Sequence, residues 1–356
     1  MRVALIAPPF ISVPPKHYGG TELFLAHLAE GLQKLSFDVV LYTNGESTLE
    51  TERKFLFEEG EWPIKGEVHD SLKDLNHTSW SMADAAADCD LIHLNNVPGI
   101  ANSRFIRTPV VYTIHHVHED SLSEFYEYFP KVNFVTISEF QRQRERMTKI
   151  RTIHHGIDLE LYRLNENKGE YLSFMGRIAP MKGTHLAIQA AKLAGIPLKI
   201  AGEVQPLFRE YFEREVKPHV DGKFIEYVGP ADLKAKNEIL GGSMAMLFPI
   251  QWDEPFGLVM VEAMACGTPV LALPGGSVPE IVRDGLSGRV CASVEEMAAQ
   301  AQQTRGFIPK EIRTYAQQHF SIERMVREYA DLYAEIAGVT TSTGVKGILE
   351  EKRAVA

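Results

Sequence analysis

The chain has 356 residues, 45% of them hydrophobic and 24% charged, the proportions of an ordinary soluble globular protein longer than one usual domain. A formal net charge of −10 argues against nucleic acid as a partner. No apolar run approaches the roughly 18–20 residues of a membrane span. The three cysteines, Cys89, Cys266 and Cys291, have no paired spacing, so free thiols in a reducing cytoplasm are expected.

Met1-Arg2-Val3-Ala4-Leu5-Ile6-Ala7 is too short for a signal peptide and reads as a first buried strand over Arg2–Ala7. Thr21–Leu35 follows as an amphipathic helix, with Thr21 placed to cap it, and Asp38–Tyr42 as a second strand. Glu46–Lys73 is charge-rich and poorly periodic, an expected irregular excursion. Leu91–Leu94, Val110–Ile114, Phe134–Ile137 and Arg151–His155 are short apolar runs bounded by polar or Gly/Pro residues, as buried parallel strands are. Polar Leu164–Glu170 is the expected boundary, giving a first domain over 1–165 and a second over 166–320. The second series comprises Tyr171–Met175, a helix from Thr184 to Ala194, then Leu198–Ala201, Phe224–Val228, Met244–Pro249 and Val270–Leu273. A last helix fits Ile322–Ile336, and the tail 339–356 has no core pattern and is expected to be loose. Strands alternating with helices predict an α/β protein with two doubly wound, Rossmann-like sheets and ligands at the carboxyl ends of the strands.

The richest stretch runs from Trp252 to Val270. An acidic loop leads through Pro255-Phe256-Gly257 into an apolar helix that Gly267 ends. Gly257 lets the backbone approach a ligand, and the free amides of the first helical turn favour anions, phosphates above all. Glu254 lies just before this helix and Glu262 about one turn inside it. Carboxylates beside a phosphate site make sense as acceptors for sugar hydroxyls, which suggests a ligand with both phosphate and sugar. Glu262 has the apolar flanks Val261 and Ala263-Met264-Ala265, so its carboxylate needs a partner. A salt bridge is the plain candidate; a ribose is the other. Gly176-Arg177 to Lys182-Gly183 follows a strand and precedes a helix, and its two cations suit a diphosphate. A solvated turn is the alternative, but beside the Glu254–Glu262 element the site reading is preferred. Gly19-Gly20 forms a second anion nest or a plain tight turn.

Other clusters are weaker. His115, His116, His118, Glu119 and Asp120 resemble metal ligands by composition, yet no zinc-type spacing is present, so no metal is assigned. Asp88-Cys89-Asp90 directly precedes an apolar strand and reads as its solvated start. Arg142, Arg144, Arg146, Lys149 and Arg151, preceded by Phe125-Tyr126 and Tyr128-Phe129, make a basic run. A solvated helix face is favoured there because the chain is acidic and the run contains Glu145; weak peripheral membrane contact is the alternative.

Glu254, seven intervening residues and Glu262 resemble the E-x7-E signature of retaining GT-B glycosyltransferases, family four in particular. Pro8-Pro9 to Glu22, Thr113-Ile114-His115, Ile153 to Asp158, Gly176-Arg177 with Lys182-Gly183, and Gly275 to Glu280 resemble that family's other motifs, in its order. The resemblance implies a GT-B fold, two domains facing a cleft, with 321–338 crossing back to the first domain. It implies transfer from a nucleotide-diphosphate-sugar donor to an acceptor hydroxyl, the acceptor being a glycan, a lipid-linked or a small molecule. It assigns Arg177 and Lys182 to the diphosphate and Glu254 to the transferred sugar. Phe256, Gly257 and Leu258 go to sugar and phosphate through their amides, Glu262 to the ribose, and Gly19, Gly20 and Gly176 to the donor loops. His115 lies near the reacting sugar. Family members usually follow that His with Asp, where this chain has His116, which leaves position 116 without a role. Metal-independent chemistry without a cofactor is expected, because Arg177, Lys182 and the helix start can neutralise a leaving diphosphate. Two rivals remain. A glycoside hydrolase would not need Arg177 and Lys182, and a nucleotide-binding module would want G-x-G-x-x-G where Pro8-Pro9-Phe10 stands.

Overall fold

A computed structural model describes residues 1–16 and 19–338 of the chain. Tyr18 of the first glycine-rich loop and the tail 339–356 lie outside the described residues. The chain forms two compact units, one of Met1–Gly156 with the segment from Ile322, the other of Ile157–Ser321.

The first unit carries a seven-stranded sheet of β1 (Arg2–Ile6), β2 (Asp38–Thr43), β3 (Glu52–Phe55), β4 (Leu91–Leu94), β5 (Val110–Ile114), β6 (Asn133–Thr136) and β7 (Ile150–Thr152). Its order is β3-β2-β1-β4-β5-β6-β7, every pair parallel. Alternation along β1 feeds two cores. Val3 and Leu5 pack with α1 (Gly20–Lys34), while Ala4 and Ile6 pack with Met82 and Ala85 of α2 (Val68–Asp88). Burial on both faces is why the central strands read as largely apolar runs.

Two local expectations are corrected. Thr21 does not cap α1: the helix starts at Gly20 behind Gly19, whose φ of 154° turns the chain, and no side chain caps it. The segment 46–73 is not wholly irregular. Its β3 pairs in parallel with β2, and α2 begins at Val68. Both were hidden by polarity. β3 is an edge strand of Glu52, Arg53 and Lys54, and early α2 buries Asp70, Lys73 and His77 while exposing Val68, Leu72 and Leu75.

The second unit has a six-stranded parallel sheet of β8 (Leu172–Met175), β9 (Leu198–Ala201), β10 (Ile225–Gly229), β11 (Met246–Phe248), β12 (Val270–Ala272) and β13 (Gly288–Val290), ordered β10-β9-β8-β11-β12-β13. The Gly-Arg-Val strand β13 has no apolar run to announce it. Four helices matter for the site: α3 (Thr184–Ala194), α4 (Leu233–Gly242), α5 (Leu258–Ala265) and α6 (Pro309–Phe320). The last helix, α7 (Ile322–Ile336), belongs to the first unit, where Met325, Val326, Tyr329, Ala330 and Tyr333 share the core of α1.

The division falls at Gly156/Ile157, upstream of the polar 164–170. That stretch is polar yet tied down within the second unit. Asn165 N donates to Cys266 O at 3.2 Å, and the Lys168 ammonium reaches Gly241 O, Cys266 O and Thr268 Oγ1 at 3.0, 3.1 and 2.7 Å. Among the described residues no helix is long and apolar enough to cross a membrane.

Candidate active site

In the second sheet the strand order reverses between β8 and β11, and the crevice outside the carboxyl ends of such strands is where open α/β sheets bind ligands. β8 delivers Gly176, Arg177 and Lys182; β11 delivers the loop that holds Glu254. Lys182 and Glu254 meet there, Nζ to Oε2 at 2.5 Å, with side chains 14% and 10% exposed. Burial lowers the Lys182 pKa, Glu254 offsets that, and the nearby Arg177 cation adds to the lowering. Trp252, which sequence reasoning left without a role, donates its indole N–H to Glu254 Oε2 at 2.8 Å.

The loop is rigidly backed. A Cβ at Gly276 would stand 2.2 Å from Glu254 O and 2.4 Å from Glu254 N, so only glycine lets the two backbones lie this close. Ser277 donates its N–H to Glu254 O at 2.9 Å and its hydroxyl to Phe256 O at 2.8 Å. Gly257, left-handed with φ 80°, then starts α5, so the amides of Leu258 and the residues after it open the helix. The buried Phe256 ring packs edge-on against Phe320.

Glu262 is buried on α5, and its partner within the protein is Lys236 of α4, whose ammonium spans both oxygens at 2.8 and 2.9 Å. Burial, with the Glu262 charge beside it, raises the Tyr162 pKa. The apolar flanks of Glu262 called for a partner without showing which, because Lys236 comes from another helix. The far end of α5 is closed by two cations. Lys168 satisfies Cys266 O, and Arg313 of α6 reaches Ala265 O and Tyr162 O, both at 2.6 Å.

In the first unit, β1, β4 and β5 end beside one another at the corresponding switch point. Gly19 and Gly20 open α1 there, with the buried Glu22 in the first turn; burial lifts the Glu22 carboxyl to about 7. His115 follows β5. Its Nε2–H donates to Asn95 Oδ1 at 2.9 Å, since the Asn95 amide nitrogen is turned to Ile6 O, and Nδ1 keeps its lone pair. Burial, aided by His155, pushes His115 well below the usual imidazole range, so the ring is neutral. The ring stacks on His155 at 5.6 Å and an interplanar angle of 8°. Asn95, after β4, is a residue the sequence did not single out.

The neighbouring histidines are occupied. His116 donates Nδ1–H to Val117 O at 2.6 Å and accepts from Tyr126 at 2.7 Å, while His118 lies 3.0 Å from the buried Glu145. Among the described residues no three His, Cys, Asp or Glu side chains are placed to hold a metal ion. Asp88 and Asp90 lie at the amino ends of β1 and β4, opposite the switch point, Asp88 on the Arg2 guanidinium at 2.9 Å and Asp90 on the Arg2 backbone N–H at 2.8 Å. In the basic run Arg142 pairs with Glu139, Arg146 with Asp120 and Glu127, and Arg151 with Glu335.

Comparison with known proteins matches residues 18–161 to the family described as Glycosyltransferase Family 4 and residues 162–315 to the family described as Glycosyl transferases group 1. Over 167 residues the chain is 30% identical to D-inositol 3-phosphate glycosyltransferases of Mycobacterium tuberculosis and Mycobacterium bovis. That match covers 41% of this chain and 34% of the relative, about a third of the relative's length. Sucrose-phosphate synthase from Thermosynechococcus elongatus superposes with a TM-score of 0.78 at 19% identity, covering 95% of this chain and 100% of that one. The Anabaena HepE protein, solved in complex with UDP and glucose, superposes at 0.73 and 18% identity, covering 94% and 100%. The fold shared with these structures is two Rossmann-like domains, the GT-B architecture.

Proposed function

We propose that this chain, which belongs to the family 4 glycosyltransferases of GT-B fold, moves a sugar from a nucleotide-diphosphate-sugar to an acceptor hydroxyl, with retention at the anomeric carbon and without a metal ion. The observation that carries this reading is the Lys182–Glu254 pair beside Arg177 at the β8/β11 switch point. It sets cations suited to a diphosphate next to a carboxylate suited to sugar hydroxyls. The HepE structure with UDP and glucose supports a donor of this class.

Arg177 forks onto the diphosphate, Lys182 adds a compact charge, and the start of α5 with the amides of Phe256, Gly257 and Leu258 faces the same oxygens. As the bond to the anomeric carbon lengthens, negative charge grows on the leaving phosphate and these groups stabilise it. Glu254 accepts from hydroxyls of the transferred sugar. Glu262 accepts from the ribose with the lone pairs that Lys236 leaves over, a carboxylate having about four acceptor sites. Gly176 lets the β8 loop approach the donor, and Gly19-Gly20 open a helix in the first unit toward phosphate or acceptor. His115 offers a neutral ring whose Nδ1 accepts a hydroxyl hydrogen. No dedicated base is assigned; the leaving phosphate takes the acceptor's proton on the same face. The acceptor is a glycan, a lipid-linked or a small molecule. A cytoplasmic setting accords with Cys89, Cys266 and Cys291, all buried and free.

A thermal-shift screen of nucleotide-sugars tests the donor class, since a ligand that binds the folded state raises its melting temperature. At least one nucleotide-diphosphate-sugar should stabilise the protein, and Arg177→Ala should erase that shift. A panel without any shift would defeat the reading.

A further inference from the structure

Trp252 precedes the site by only two residues, yet it touches both halves of it. Its indole N–H donates to Glu254 Oε2 at 2.8 Å, and its ring lies under the Lys182 ammonium, 4.8 Å from Nζ to the ring centroid. The side chain is half-buried, and the Gln251 amide beside it is fixed to Met181 O at 2.8 Å, which ties this loop to the one carrying Lys182. An indole suits such a place: its edge carries a donor and its face attracts a cation, so one rigid plane can orient a carboxylate and an ammonium together.

We propose that Trp252 is a positioning residue for donor recognition. Its N–H aims Glu254 at the sugar, and its ring face parks Lys182 where a diphosphate collects it. Both donors sit on Oε2 of Glu254, which leaves Oε1 for sugar hydroxyls. When a diphosphate draws Lys182 away, the indole N–H still holds the carboxylate, so Glu254 keeps its aim at the moment the sugar arrives. The residue acts through Glu254 and Lys182 and needs no contact with the donor. The inference rests on the donor reading of those two residues and adds a division of labour within Trp252: edge for sugar, face for diphosphate.

The test uses the full chain with whichever of UDP, GDP and ADP binds most tightly, and with the glucose conjugate of that nucleotide, by calorimetry. The gain of the conjugate over the bare nucleotide reports the sugar contact. Glu254→Gln, the reference, should lose that gain; if it does not, the role of Glu254 is wrong, whatever Trp252 does. Trp252→Phe keeps a ring face and removes the N–H. It should hold nucleotide affinity within about twofold while the gain falls on the order of tenfold, as loss of one hydrogen bond to a charged group implies. Trp252→Leu removes the face as well and should also weaken the bare nucleotide, by roughly fivefold. In the Glu254→Gln background Trp252→Phe should change the gain no further, because the two act through one contact. Thermal melts establish that each variant is folded, and Trp252→Leu carries the same comparison should Trp252→Phe pack poorly. An undiminished gain in Trp252→Phe, equal nucleotide loss in both Trp252 variants, or additivity with Glu254→Gln would each overturn the proposal.

Discussion

Replacing Lys236 by Met probes the ion pair that holds Glu262 on the donor side. The ammonium spans both Glu262 oxygens at 2.8 and 2.9 Å, and the two side chains are 30% and 10% exposed. An exposed pair contributes about 0–1 kcal/mol, whereas breaking a fully buried one costs about 3–5 kcal/mol because a charge is stranded. Here the carboxylate is buried and the ammonium reaches solvent, so a value between these limits, about 2 kcal/mol, is expected. With a urea slope of about 2 kcal/mol/M, the midpoint should fall by about 1 M. Urea unfolding followed by far-ultraviolet circular dichroism measures this. Glu262→Gln in the same chain should cancel most of the loss, since no stranded charge is then left. A Lys236→Met midpoint within about 0.2 M of the parent, which corresponds to the roughly 0.5 kcal/mol of an indifferent surface change, would refute the ion pair as a structural element.

Glu254→Ala or Arg177→Ala should abolish transfer while the protein stays folded, and near-normal turnover on the true substrates in either would remove the central claim. Transfer should survive EDTA; complete loss, restored by Mn²⁺ or Mg²⁺, would assign the charge neutralisation to a metal. Glu262→Ala should weaken nucleoside diphosphate binding about ten- to a hundredfold, whereas His115→Ala should spare it and lower turnover; equal losses in calorimetry would undo that division. Burial lifts the Glu22 pKa from an ordinary 4.5 to about 7. A raised folded pKa means stability is fully present below the unfolded value and is lost as pH rises through the folded one. Between pH 5 and 8 this group should therefore remove up to roughly 3 kcal/mol, and Glu22→Gln should flatten the urea midpoint across that window. An unchanged slope in the variant would show that Glu22 is not the group responsible.

Hydrophobic runs and their punctuation determined the class of fold. A strand buried on both faces is apolar along most of its length, as Arg2–Ile6 is after its first residue, and its helices must carry a stripe, as Ile322–Ile336 does. The glycine-led turns at Gly176 and Gly257 were legible for the same local reason: backbone freedom and a helix start are written within a few residues. Where polarity inverted, at β3 and early α2, the local signal failed, since an edge strand and a helix burying Asp70 and His77 obey their neighbours rather than their own periodicity. Only the tertiary structure decided who meets whom. Strand order β8-β11 brings Lys182 to Glu254 across 72 residues of chain, and α4 lying beside α5 brings Lys236 to Glu262 across 26. Asn95 fixes the His115 tautomer from the next strand over. A partner supplied by another element leaves no mark on the sequence around the residue it serves, because hydrogen bonds and ion pairs depend on distance in space and not along the chain.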